Sequence, residues 1–523
     1  MELYHVLYIQ RTAMTDLFWR VCTEITAADI PDSTLSIVFG CKYNKAIGEG
    51  VLPDHIKYIE FSHTFNQPIG PNVLPKSLER IFFGDGFNQK IAPNILPGSL
   101  KYITFGNNFD QKIGPGDLPE NIISLTLGWD YHRPIDAGVI PRGLKTISMG
   151  KCLFKIIDQD SLPTDLETII VGKHYCWYNG CACHNRPIQP NIIPSTIKTV
   201  KLSSCYSQLA DRDVFPETIQ SIYLKGSFNR QLQENQLPEK LKHLHFGIYY
   251  DQPIDANVLP KSLVSIDFGP NFNRCIDPGI FPENFESIEF GSRYNQPIGP
   301  GVLPNNLKSI EFGSQYDQPI DPGVLPNNLK SIVFGGCYAQ PIEANVLPDS
   351  IESIVFGNDF NIPIGLNILP KSLLYLEFGY FFNQKIDTMF IPDSVEYICL
   401  SYTFSYDIVI DCLPSNLKYL EVSNANFLEK LNPISQSMCF QVIYQNGLLP
   451  LLKVNYPILY RDSPDLYGDY LDMYGDSPDM YGDVYECDGY DVIGSEIIDG
   501  NEYSKIINPE FYRPNVKHKS ARK

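Results

Sequence analysis

Nowhere in these 523 residues do eighteen apolar side chains run together, so the chain offers no membrane-spanning helix. The opening stretch, MELYHVLYIQRTAMTDLFWRV, breaks its apolar residues with Glu2, His5, Arg11 and Asp16 and shows no small-residue cleavage site. That argues against a secretory leader. Motifs that carry chemistry are equally scarce. There are only nine histidines, no glycine-rich phosphate loop, no nucleophile elbow and no His-rich metal signature, so the expectation is a protein that is not an enzyme. Basic charge is also short. The formal charge is −19, but thirteen Asp and Glu with no Lys or Arg lie between Asp462 and Tyr503, which leaves about −6 for everything else. A near-neutral body lacks the basic footprint of a nucleic-acid binder. The thirteen cysteines are odd in number and share no spacing that returns from segment to segment, so they form no disulfide framework. Reduced thiols and a cytoplasmic location are expected.

Proline and glycine, by contrast, are plentiful and phased. A proline recurs at positions 31, 53, 75, 97, 119, 141 and 163, then from 194 to 414; every step is 22 residues except one of 31. The same sentence surrounds each, as in LPKSLERIFFGDGFNQKIAPNI from Leu74 and LPNNLKSIEFGSQYDQPIDPGV from Leu303, giving eighteen partial or full copies. A unit this short cannot bury its own apolar face and needs neighbours above and below, so the repetition implies a solenoid.

Counting from each proline, apolar residues fall at +3, +6, +8, +12 and +16; in the unit of Pro75 these are Leu78, Ile81, Phe83, Phe87 and Ile91. The +6 and +8 residues alternate with polar neighbours at +5 and +7, the period of a short strand with one buried face. Glycine usually follows at +9, and stretches such as NQPIGPNVLP hold too much proline and glycine for a helix. The fold class expected is therefore a mainly β repeat solenoid: a parallel sheet with one short strand per 22-residue coil, returned by turns and extended backbone. Asn44, Asn66, Asn88, Asn229, Asn273, Asn295, Asn361 and Asn383 share +13, with Asp110, Asp251 and Asp317 in other coils. A carboxamide there can satisfy backbone groups of a buried turn that lacks strand partners.

The words FNQPI at Phe65 to Ile69 and FNIPI at Phe360 to Ile364, with variants at Tyr294 to Ile298 and Tyr316 to Ile320, resemble the FNIP-repeat proteins of amoebae and of the giant viruses that infect them. The unit is also similar to a short leucine-rich repeat. The resemblance implies a protein-interaction solenoid. Some relatives place an F-box before the repeats, which implies as an alternative a substrate-recognition subunit of a ubiquitin-ligase complex. Only about 29 residues precede the first repeat proline, too few for a complete F-box.

Domain boundaries follow from the rhythm. Residues 1–29 are expected to cap the first coil, 30–431 to form the solenoid, 432–461 to cap its end, and 462–523 to form a disordered acidic tail rich in Tyr and Asp, with DSPDLYGD at Asp462 returning as DSPDMYGD at Asp476.

Function is expected on the +5 and +7 columns, which point away from the core and vary from coil to coil. Tyr375, Tyr397 and Tyr419 follow one another at +5, beside Val333 and Val355 at +7, as candidate anchors for a protein partner, with sheet-stiffening packing as the alternative. Asp267, Glu289 and Glu311 follow one another at +7 after His245, with His243 at +5. Such a stack calls for solvation, with Lys308 and Lys330 nearby, or for a basic partner, or for a metal held by His243, His245 and Asp267. The one long step inserts nine residues after Pro163 and brings Cys176, Cys181, Cys183 and His184 into one loop, candidate zinc ligands or an ordinary protruding loop. No other cofactor is expected. The partner is expected to be a protein of unspecified identity bound by a monomer.

Overall fold

In the computed structural model, residues 17–21, 25–40, 42–150, 157, 161–171, 193–202, 214–224, 228–386, 390–401, 403–406, 412–422 and 441–444 are described. They form a 20-stranded parallel sheet whose strands pair in chain order, each with the next. The strands are β1 (Leu17–Val21), β2 (Thr34–Phe39), β3 (Tyr58–Glu60), β4 (Arg80–Phe82), β5 (Tyr102–Thr104), β6 (Ser124–Thr126), β7 (Thr146–Met149), β8 (Thr168–Val171), β9 (Thr199–Leu202) and β10 (Ser221–Leu224). They continue as β11 (His243–Phe246), β12 (Ser265–Asp267), β13 (Ser287–Glu289), β14 (Ser309–Glu311), β15 (Ser331–Val333), β16 (Ser353–Val355), β17 (Tyr375–Glu377), β18 (Tyr397–Cys399), β19 (Tyr419–Val422) and β20 (Gln441–Tyr444). Register keeps like offsets side by side; Ser287, Ile288 and Glu289 face Ser309, Ile310 and Glu311. This is the parallel-sheet solenoid that the periodicity implies, with the leucine-rich-repeat-like coil that the resemblance implies. Among the described residues no helix is long and apolar enough to cross a membrane.

The five apolar columns close the core as their spacing requires. Leu78, Ile81 and Phe87 are wholly buried, and Phe83 and Ile91 nearly so. Aromatic rings at +8 and +12 stack along the coils: Phe61, Phe83 and Phe105 lie 5.6 and 5.2 Å apart, and Tyr294, Tyr316 and Tyr338 lie 6.0 and 6.2 Å apart. Offset stacking of this kind adds to area burial.

Glycine at +9 has a stricter cause than leaving the strand. A Cβ on Gly291, Gly313 or Gly379 would overlap the carbonyl oxygen of the +9 glycine one coil earlier. The coils touch backbone to backbone there. Where serine replaces glycine, its hydroxyl finds a carbonyl: Ser62 Oγ donates to the Tyr43 oxygen.

The +13 ladder operates between coils. The backbone N–H of Asn66 donates to Asn44 Oδ1 at 2.9 Å, that of Asn88 to Asn66 Oδ1 at 2.9 Å, and Gln89 Nε2 to the same Asn66 oxygen at 3.0 Å. These groups sit at an exposed or half-buried rim rather than in a buried turn. Where aspartate holds the position, a cation can follow: Arg133 and Arg274 pair with Asp110 and Asp251 at 2.9 and 2.8 Å.

The sheet extends by one strand into each segment read as a cap. β1 pairs with β2, with Trp19 opposite Ile37, and β20 pairs with β19 one full period on, with Tyr419 opposite Gln441. The chain divides at Gln445, and the second unit, Asn446–Lys523, which includes the acidic tail, lies outside the described residues.

Candidate functional site

Because side chains alternate along a strand, the +5 and +7 residues of β2 to β19 share one side of the sheet, opposite the core. In-register pairing converts each offset into a column. One runs Ser265, Ser287, Ser309, Ser331, Ser353; beside it run Asp267, Glu289, Glu311, Val333, Val355.

The first half of this face is aromatic and cationic. Tyr58 Oη donates to Glu60 Oε2 at 2.6 Å, the Arg80 guanidinium lies 4.3 Å from the Tyr102 ring centre, and Lys201 Nζ lies 4.6 Å from that of Tyr223. Tyr223 in turn stacks on His245 at 4.1 Å and 4° between planes. Cation–π contacts of this kind fix long side chains on an open face.

His245 marks the change of sign. Its Nδ1 is 3.5 Å from Asp267 Oδ2, while His243 Nδ1 is 2.8 Å from Ser265 Oγ. Among the described residues no three His, Cys, Asp or Glu side chains form a group able to hold a metal ion, so His243, His245 and Asp267 do not converge as ligands. Cys176, Cys181, Cys183 and His184 lie outside the described residues.

Asp267, Glu289 and Glu311 are stacked as expected, and burial, then the Asp267 charge, lifts the Glu311 carboxyl above the usual carboxylate range. The relief expected from Lys308 and Lys330 goes elsewhere: they bind Glu286 at 2.8 Å and Glu352 at 2.6 Å. Those pairs belong to a +4 column in which Lys57, Glu79 and Lys101, and likewise Lys145, Glu167 and Lys198, bridge successive coils. Alternating Lys and Glu at +4 was the signal for it.

The tyrosine column requires a correction. Tyr375 and Tyr397 are only 6% and 3% exposed and Tyr419 is half-buried, so they are not open rings on the face. Parallel register sets like side chains about 4.8 Å apart, so flat rings cover one another. Tyr375 and Tyr397 stack at 4.8 Å, and Tyr397 and Tyr419 tilt at 6.1 Å. Their hydroxyls are tied as well. Tyr375 donates to Glu377 Oε2 at 2.6 Å and Tyr397 to Glu421. Burial raises the Glu377 carboxyl despite the Tyr375 hydrogen bond, and it pushes the Cys399 thiol, between Glu377 and Glu421, well up. Val333 and Val355 remain half-exposed between the two acidic groups.

A search of curated proteins finds no match. Among solved structures, the chain is similar to CroV588, a circular leucine-rich repeat protein of a giant virus, with a TM-score of 0.57 and 31% identity over 83% of this chain and 73% of that one. A model of the FNIP repeat matches at 23–64, 65–108, 109–152, 184–227, 206–249, 228–270, 250–293, 294–337, 338–381 and 382–425, each match spanning about two coils and the inserted loop falling between them. Those matches cover most of the solenoid in the register that its strands adopt, and the chain belongs to the FNIP-repeat family.

Proposed function

We propose that this chain is a non-catalytic, cytoplasmic, monomeric scaffold that binds a protein partner through the +5 and +7 face. The observation that supports this is the division of labour within the coil: the interior columns repeat, while the face changes from Tyr and Arg to Ser, Asp, Glu and Val along a constant frame. Asp267, Glu289, Glu311, Val333 and Val355 are its contact residues, and the packed Tyr375, Tyr397 and Tyr419 shape the end of the surface. Capture of partners from native cells tests the reading. Val333→Ser/Val355→Ser should lose a stoichiometric partner while melting as the parent does. Retention of every partner overturns the assignment of the face, and turnover of a common substrate class overturns the non-catalytic one. Recovery of ligase core subunits would favour the ubiquitin-ligase alternative.

A further inference from the structure

The face is electrically divided. From β3 to β11 its +5 and +7 positions carry Arg80, Lys201, His243 and His245 against the single carboxylate of Glu60, whereas from β12 to β19 they carry Asp267, Glu289, Glu311, Glu377 and Glu421 and no Lys, Arg or His. The nearest lysines at +4 are engaged with Glu286, Glu352 and Glu396. Between Glu311 on β14 and Glu377 on β17, Val333 and Val355 make a half-exposed apolar floor. On the same side of the sheet sits Ser353, 3% exposed, whose hydroxyl has no hydrogen-bond partner. A buried hydroxyl without a partner costs free energy until a donor or acceptor meets it.

We propose that this half of the face receives an extended, lysine- or arginine-bearing segment of a protein partner, its aliphatic stems over Val333 and Val355 and its cationic heads at Glu311 and Glu377. The proposal rests on the strand-face reading above and names the chemistry of the partner. A long basic side chain matches the site in both parts, since its methylenes bury on valine while its head stays with a carboxylate. The spacing also fits. Three strand spacings separate Glu311 from Glu377, about 14 Å, and side chains four residues apart on an extended segment point the same way over roughly the same distance.

The test uses the full chain and a fluorescein-labelled Gly/Ser peptide with two lysines four residues apart, followed by anisotropy at low and physiological salt. Saturable binding that weakens with salt is expected, reduced about tenfold by Glu311→Gln or Glu377→Gln, abolished by both together, and unchanged by Glu60→Gln. Melting curves confirm that the glutamine variants are folded. Binding no tighter than that of the matching glutamate peptide, or undiminished in the double variant, overturns the proposal. So does spermine binding as tightly as the peptide, which would assign the site to small polycations. If the Glu311→Gln/Glu377→Gln chain keeps the cellular partner that Val333→Ser/Val355→Ser loses, the scaffold reading stands and the charge assignment falls. If neither change affects capture, both fall.

Discussion

Glu311 and Glu377 lie where burial disfavours their charged form. Burial is the largest cause of the upward shift in both carboxyls, with Asp267 adding to it at Glu311 and Glu421 adding to it at Glu377. A folded-state pKa above the unfolded value means that the native chain binds these protons more tightly, so stability rises as pH falls from above the raised values towards 4.5. Glu79 and Glu167 act in the opposite sense: hydrogen bonds from their lysines lower their carboxyls, so their contribution is present above 4.5 and is lost below it. The melting temperature should therefore increase as pH falls from neutral towards 4.5, and Glu311→Gln/Glu377→Gln should raise it at neutral pH and flatten that slope. A double variant less stable than the parent at pH 7 would contradict this account. The tyrosines show what a residue-by-residue reading misses. Tyr375 at +5 looks exposed by offset, but the ring of Tyr397 one coil away stacks on it and the carboxylate of Glu377 two residues on takes its hydroxyl.

The strand is only three or four residues long in most coils, so backbone contact at the turn matters as much as strand pairing. At Gly313 an added Cβ would overlap the Gly291 carbonyl oxygen, whereas at Gly299 it would meet nothing within 4 Å. Gly313→Ala should thus cost about 3 kcal/mol by prising two coils apart, and Gly299→Ala should stay within about 0.5 kcal/mol, as denaturant titration would read. A similar loss at both positions would remove the close approach as the cause. The backbone also explains a recurrence at +19, where Gly50, Gly301 and Gly323 alternate with Asn72, Asn94 and Asn345 in the left-handed region that these two residue types tolerate best. The buried columns of a coil were legible because period two and period 22 leave one solution for Leu78, Ile81 and Phe83. The +9 clash was not, because it arises between coils and depends on how closely the stack is drawn together, while the +4 bridges left a trace only in the alternation of Lys and Glu from coil to coil.

Each coil of the unit Met1–Gln445 pairs with its sequence neighbours, so the sheet behaves as a one-dimensional stack. Leu303 to Ile310 and Leu325 to Ile332 read the same, LPNNLKSI, with the same register on either side. Deleting residues 304–325, one whole unit, should leave a folded chain with sheet-like circular dichroism and a modestly lower melting temperature. Deleting half as many residues from the same place should abolish cooperative melting, since it sets +5 of one coil against the return segment of the next. Equal damage from the two deletions would count against independent coils.

The in-register columns turn coil number into length. Adding or removing a unit between Glu311 and Glu377 moves those two carboxylates apart or together by one strand spacing, about 4.8 Å, while every side chain beneath them keeps its place in the core. Substitution on the face rewrites one mark, and duplication of a near-identical unit changes the distance between marks. A lineage of such chains can therefore retune the span of what it grips in fixed increments, as a ruler is regraduated, with no new fold to be found at any step.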